Sequence, residues 1–197
     1  KGALKSEVKI TNFKSKAQEI EIKSDLTDAY LFAPVLNWRK DIGTAAKGGV
    51  DFSIRDGILL DSPRFFLKAK DFSIRGHIKY REKGSVLHYV RFDEISDGLS
   101  KFNAKITPME EGLWEARISG KSFDFSSNWE EFGSEEETSK HDPISFPNVK
   151  LYLDVNNVWL TEKDALTDVS GVFIYNNNRW EKIQMGAKIN SNASFVI

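Results

Sequence analysis

Histidines are the first side chains to consider for acid–base or metal chemistry in this 197-residue chain. There are three of them, His77, His88 and His141, and none has a partner at the spacing that metal ligands require. His77 and His88 fall in strand-like runs, and His141 falls in a linker. We therefore expect each histidine to have a structural or surface role.

Carboxylates are plentiful, but their positions do not suggest catalysis. Most alternate with apolar residues or stand in turns, where solvation explains them. Asp25, Asp28 and Asp41 could bind a cation, yet their neighbourhood lacks the dense ligand loop that calcium favours. The sequence has no glycine-rich phosphate loop, no Gly-x-Ser-x-Gly motif and no cysteine. We predict that the protein is not an enzyme and has no catalytic residues, metal or cofactor.

Aromatic residues offer a second kind of chemistry, the stacking of single-stranded nucleic acid bases. The chain has five tryptophans and fourteen phenylalanines. Base stacking also needs a cationic groove, whereas 28 basic and 29 acidic residues give a net charge of −1. We therefore predict no nucleic-acid partner. The aromatic residues fit either a packed core or an apolar groove for acyl chains, which periodicity cannot distinguish.

The elements that position these side chains follow from an alternation of apolar and charged residues. The clearest run is 19–32, where Ile20 and Ile22 point one way and Glu19 and Glu21 point the other. A period of two indicates a β-strand with one apolar face. Fourteen such residues form a strand of about 45 Å, at about 3.3 Å per residue.

Similar runs recur along the whole chain and are mostly separated by short turn signals such as Asp56-Gly57 and Asp97-Gly98. Neighbouring strands are therefore predicted to be antiparallel hairpins. Within the run 64–80 the apolar phase shifts, which predicts a bulge or bend near Lys70-Asp71. The runs are 4–11, 19–32, 48–55, 64–80, 85–93, 99–107, 113–121, 149–160, 168–176, 180–189 and 192–197.

The predicted fold is all-β: a long, curved antiparallel sheet forming an open, taco-like groove. Residues 1–125 form the groove segment, 126–147 a linker with one short helix near 126–133 and an acidic run at 130–142, and 148–197 a continuation of the same sheet. The candidate groove residues are Ile20, Ile22, Leu26, Phe52, Ile54, Phe72, Ile74, Ile78, Val90, Phe92, Phe102, Ile106, Trp114 and Ile118.

Three sequence motifs carry a resemblance to a known family. One motif is Asp25-Leu26-Thr27-Asp28-Ala29, followed by Leu31, Pro34, Leu36, Trp38, Lys40 and Gly43. A second runs through Trp114, Ile118, Gly120, Phe123 and Asp124. A third fits Leu153, Val155, Val158, Leu160, Leu166, Asp168, Val169, Gly171 and Trp180. These segments resemble AsmA-like envelope proteins of proteobacteria, and most closely the uncharacterised domain upstream of their AsmA-like C-terminal region in YhdP-like members.

The resemblance implies a repeating β-groove protein of the bridge-like lipid transfer type, located in the periplasm and anchored in the inner membrane. The chain starts at Lys1 without a signal peptide, so we interpret it as a piece of a longer protein whose N-terminal anchor is missing. The implied function is to conduct phospholipids towards the outer membrane, with acyl chains bound in the groove. Two alternatives stay open, a β-scaffold that works with outer-membrane assembly components and a structural β module without a ligand.

Overall fold

The computed structural model describes residues 4–33, 36, 38–81, 86–126, 147–161, 163–177, 179–189 and 193–196. The described chain is almost entirely β-structure, as the alternation predicts. Twelve strands form one open, mostly antiparallel sheet in the order β1-β2-β5-β6-β7-β8-β9-β10-β11-β12-β13-β14, and β3 and β4 form a separate hairpin. The strands are β1 Lys5–Asn12, β2 Ala17–Asp25, β3 Leu31–Ala33, β4 Trp38–Lys40, β5 Ala46–Arg55, β6 Ile58–Ala69, β7 Phe72–Tyr80, β8 Leu87–Asp97, β9 Ser100–Pro108, β10 Trp114–Asp124, β11 Val149–Trp159, β12 Ala165–Asn176, β13 Arg179–Ile189 and β14 Ala193–Val196.

The chain divides into two compact units. Unit 1 comprises Lys1–Gly98 with Asn103–Lys105, and unit 2 comprises Leu99–Phe102 with Ile106–Ile197. Strands β1 to β8 therefore belong to unit 1, strands β10 to β14 belong to unit 2, and β9 contributes to both.

The prediction of one long strand over 19–32 is wrong, because β2 ends at Asp25 and the next strand begins only at Leu31. The Asp25 carboxylate accepts hydrogen bonds from the backbone N–H and the hydroxyl of Thr27, at 2.9 Å and 2.6 Å. These bonds form an Asx turn, which bends the chain out of the sheet. The chain returns to the sheet in β5, after the β3–β4 hairpin.

The run 64–80 consists of two strands, and the change of phase predicted as a bulge or bend falls at the break between them. β6 ends at Ala69 and β7 begins at Phe72, so Lys70-Asp71 is the turn between two paired strands. The phase shift in the sequence marks this reversal of the chain. The first part of β6, from Ile58 to Ser62, was not predicted as a strand.

The predicted antiparallel pairing does not hold between β10 and β11 of unit 2. Strands β10 and β11 run parallel, with Trp114 opposite Val149 and Asp124 opposite Trp159. Asn148 fixes the start of β11, because its carbonyl accepts from the N–H of Trp114 at 2.8 Å and its side chain accepts from the N–H of Asn177 at 3.0 Å.

The sequence between β10 and β11 carries the predicted helix near 126–133 and the acidic run at 130–142. Apart from Ser126, both lie outside the described residues.

The core of unit 2 is a small apolar cluster. Its buried members are Val155 and Val158 on β11, Val169 on β12 and Ala187 on β13. Half-buried apolar side chains from β10, β11, β12 and β13 pack around them, including Ile118.

Candidate functional site: an apolar sheet face

The strand register of unit 1 collects apolar side chains on one face of the sheet. Directly opposed residues of an antiparallel pair point to the same side. Ile10 lies opposite Ile20, which lies opposite Phe52. Further rows link the remaining strands in the same way. We call this surface the apolar face; its members are Val8, Ile10, Ile20, Ile22, Val50, Phe52, Ile54, Phe65, Leu67, Phe72, Ile74, Ile78, Val90, Phe92 and Ile95.

Most of the apolar face is half-buried rather than sealed in a core. Phe65 and Phe92 meet edge to face, with ring centroids 5.5 Å apart, yet both rings keep part of their surface open. Towards β1 the face opens further, since Val8 is 56% exposed and Ile10 is 58% exposed. A surface of this kind can take up apolar material, because burying it removes area from water.

The opposite face of unit 1 is held by ion pairs. Arg64 on β6 donates its Nε to Asp51 at 2.9 Å and an Nη to Glu21 at 3.2 Å. The bond to Asp51, followed by its charge, raises the pKa of Arg64. The bond from Lys23, at 2.8 Å, is the largest of the effects that lower the pKa of Glu21. One surface of the unit is therefore charged and the other apolar.

The segment between β2 and β5 covers one end of the apolar face. The indole ring of Trp38 stacks on the ring of Phe72, which is 4% exposed. A Cβ atom added to Gly48 would lie only 2.9 Å from Cδ1 of Leu26, which is too close for an unstrained contact. Gly48 therefore leaves room for Leu26, which contacts the apolar face from a turn and not from the predicted strand.

Lys40 fastens this covering segment. The side chain is buried, and its Nζ donates to the carbonyl oxygens of Ala29 at 2.7 Å, Thr27 at 3.0 Å and Asp41 at 3.0 Å. All three N–H groups of the ammonium therefore find an acceptor, as a buried lysine requires. No sequence signal points to this site, because the carbonyl acceptors come from backbone that the fold brings back towards Lys40.

The candidate residues predicted from the sequence fall into both units. Nine of them, from Ile20 to Phe92, lie on the apolar face of unit 1, and Leu26 touches it. The remaining four are in unit 2. There Phe102 is buried and meets Phe123 with centroids 5.5 Å apart, while Ile118 packs on the core cluster. Trp114 precedes Ile118 on the same side of β10, and Ile106 follows Phe102 on β9.

Sequence reasoning missed several members of the apolar face, of which Val50, Phe65, Leu67 and Ile95 are the clearest. Phe65 and Leu67 could have been found, since both alternate in the first half of the run 64–80. Ile95 could not, because a register shift between β7 and β8 changes the phase of β8 after Phe92.

Unit 2 has a shallow cavity of about 660 Å³ across β10 to β13. Two rows of mostly polar side chains border it, one through Arg117 and Tyr152 and one through Ser119 and Asp154. The Arg117 guanidinium lies 4.1 Å from the Tyr152 ring centroid and donates to Glu115 at 2.7 Å. Its charge is thus already compensated within the protein.

The described residues contain neither a cluster of metal ligands nor a membrane-spanning helix. No three His, Cys, Asp or Glu side chains there are grouped as metal ligands. No helix in this part of the chain has the length and apolarity needed to cross a bilayer. Comparisons of the chain with family models, curated protein sequences and solved structures find no match.

Proposed function

We propose that the protein binds phospholipid acyl chains on its apolar face. The observation that carries the proposal is the one-sidedness of unit 1, in which six neighbouring strands turn apolar side chains to the same side and leave them half-exposed. The ion pairs make the opposite face polar, so that face stays in contact with water. A lipid would thus meet one continuous apolar surface and would need no specific polar site.

The binding free energy suits an acyl chain that binds the apolar face and then moves along it. Each buried methylene contributes about 0.8 kcal/mol, so covering half of a sixteen-carbon chain contributes about 6 kcal/mol. Dispersion contacts with Ile, Val and Phe are additive and non-directional, and they do not favour one position over the next. Such a surface accepts chains of mixed length and lets them slide.

The wider role that we propose rests on the resemblance to AsmA-like envelope proteins. In this role the chain is a segment of an inner-membrane-anchored periplasmic protein. It conducts phospholipids towards the outer membrane, without enzymatic activity. The half-open apolar face supports this proposal because a conduit needs apolar surface that its own fold leaves uncovered.

The test is native mass spectrometry of the chain purified from bacteria, followed by lipid extraction. Co-purified phospholipids of mixed headgroup and chain length are expected. Ile74→Asp should reduce the bound lipid, because it places a charge in the middle of the apolar face. Ile22→Asp should do the same from β2.

Ser73→Asp is the matched control, since Ser73 is the neighbour of Ile74 on β7 and points to the charged face. It should bind as much lipid as the wild type. A folded wild-type protein without lipid, or equal lipid on Ile74→Asp and Ser73→Asp, would contradict the proposal and favour a structural module without a ligand.

A further inference from the structure

Strand β1 is the outermost strand of the sheet at the unit 1 end, and within the described residues no strand pairs with its outer edge. Val8 and Ile10 on this strand are both more than half exposed. An edge of this kind presents unpaired N–H and C=O groups to any strand that can match it. The charges on β1 identify the strand that fits.

Antiparallel pairing of β1 with an identical strand allows only a few registers. Only alternate residues of an edge strand turn their backbone groups outward, so the two-fold axis of a symmetric pair must pass through a residue. An axis at Glu7 places Glu7 opposite Glu7. An axis at Lys9 places Lys9 opposite Lys9, and both arrangements oppose like charges. An axis at Ser6 pairs Lys5 with Glu7, but it leaves a ladder of only three residues, because β1 begins at Lys5. An axis at Ile10 forms no pair of opposite charges.

An axis at Val8 places Glu7 of each copy opposite Lys9 of the other. This register makes two pairs of opposite charge, which stabilise cross-strand contacts, and it has no pair of like charges. Val8 meets Val8 at the axis, and Ile10 lies opposite Ser6. The apolar sides of both copies then face the same way, so the apolar face continues across the junction.

We propose that β1 pairs with β1 of a second copy of this chain, antiparallel and with the two-fold axis at Val8. The interface is isologous, so it closes after two copies. The inference does not depend on lipid binding, because it rests on the strand order and on the charges of β1.

Cysteine cross-linking tests the register directly, because the chain has no cysteine of its own. In Val8→Cys the two introduced residues face each other, with Cα atoms about 4.5–5.5 Å apart. That distance is within the range for a disulfide, about 4.4–6.8 Å. Ile10→Cys is the matched control, since it lies on the same side of β1 and is equally exposed. Its two copies are offset by about 13 Å along the strands, at about 3.3 Å per residue.

Mild oxidation should convert most of Val8→Cys to a disulfide-linked dimer and leave Ile10→Cys largely monomeric. Equal cross-linking of the two variants, or preferential cross-linking of Ile10→Cys, would overturn the proposed register. Wild-type protein that sediments as a monomer at all concentrations would overturn the dimer itself.

Charge reversal provides a second test in which each variant controls the other. Glu7→Lys alone opposes lysines to lysines across the axis, and Lys9→Glu alone opposes glutamates to glutamates. Each variant alone should be monomeric, while their mixture should form a heterodimer with two pairs of opposite charge. A mixture that stays monomeric, with both variants folded by circular dichroism, would contradict the proposal.

Discussion

Trp38 and Phe72 stack with ring centroids 4.2 Å apart and an angle of 23° between the ring planes. Trp38 begins β4 of the separate hairpin, and Phe72 begins β7 of the sheet. The contact joins the covering segment to the apolar face. The protein therefore closes one end of this face with its own chain, while the end near β1 stays open.

Phe72→Ala should lower the free energy of unfolding by about 3–5 kcal/mol, because it removes a buried ring and leaves a cavity beneath Trp38. Urea denaturation gives the value. Phe32→Ala is the control: Phe32 is 50% exposed, and its loss should change stability by no more than about 0.5 kcal/mol. Equal losses in the two variants would mean that the stacked pair does not fasten the hairpin.

Lys40→Met should loosen the covering segment without removing its aliphatic packing. Three carbonyl oxygens lose their shared donor, which should cost about 1–3 kcal/mol. The measurement is hydrogen exchange at the N–H of Gly43, which donates to the Thr27 carbonyl at 2.8 Å. Exchange should become faster in Lys40→Met and stay unchanged in Lys47→Met, whose side chain is exposed. Unchanged exchange in both variants would show that Lys40 does not hold the segment.

Glu21 should stabilise the protein only while its carboxylate is ionised. The bond and charge of Lys23, followed by Arg64, lower the pKa of Glu21 in the folded state below the ordinary value of 4.5. The stabilisation is thus fully present above pH 4.5 and is lost as the pH falls through the lowered pKa. Urea midpoints of wild type and Glu21→Gln should therefore converge at acid pH. They should also converge at high salt, since the Lys23 and Arg64 partners of Glu21 are exposed to solvent. A difference that widens on acidification would contradict this reading.

The heat-capacity change of unfolding should be smaller than the length of the chain implies. A globular protein of 197 residues has a heat-capacity change of about 2.4–3.0 kcal/mol/K, at about 12–15 cal/mol/K per residue. Only ten hydrophobic residues are buried in the described part of this chain, so less apolar surface is exposed on unfolding. Scanning calorimetry of the lipid-free protein measures the change directly. A value within the usual range would contradict the prediction, because it would require as much apolar surface to be buried as in an ordinary globular protein.

The alternation of residue types was sufficient to predict the all-β fold and one side of most strands. Ile20 and Ile22 on β2, like Phe52 and Ile54 on β5, share a face because a strand repeats every two residues. The same periodicity misled at Leu26, since the Asx turn at Asp25 ends the strand while the apolar spacing continues. An Asx turn made by the Asp25 side chain and Thr27 does not disturb the alternation of apolar and polar residues in the sequence.

The parallel pairing of β10 and β11 could not be predicted from local signals. A short turn in the sequence indicates an antiparallel hairpin, but strands separated by more than twenty residues can pair in either direction. The covering segment was equally hidden. Its contacts, Trp38 with Phe72 and Lys40 with the Ala29 carbonyl, join residues whose proximity depends on the folded sheet.

The parallel ladder between β10 and β11 determines where the polypeptide can be divided. β10 ends at Asp124, opposite Trp159, and β11 begins at Val149, opposite Trp114, so the ladder between them needs no tight turn to hold its register. A peptide bond cut between Ser126 and Pro147 would leave every described strand whole. Two separately made polypeptides, divided at that place, are therefore expected to reassemble through this ladder, which makes it the natural position for splitting the protein into complementing fragments.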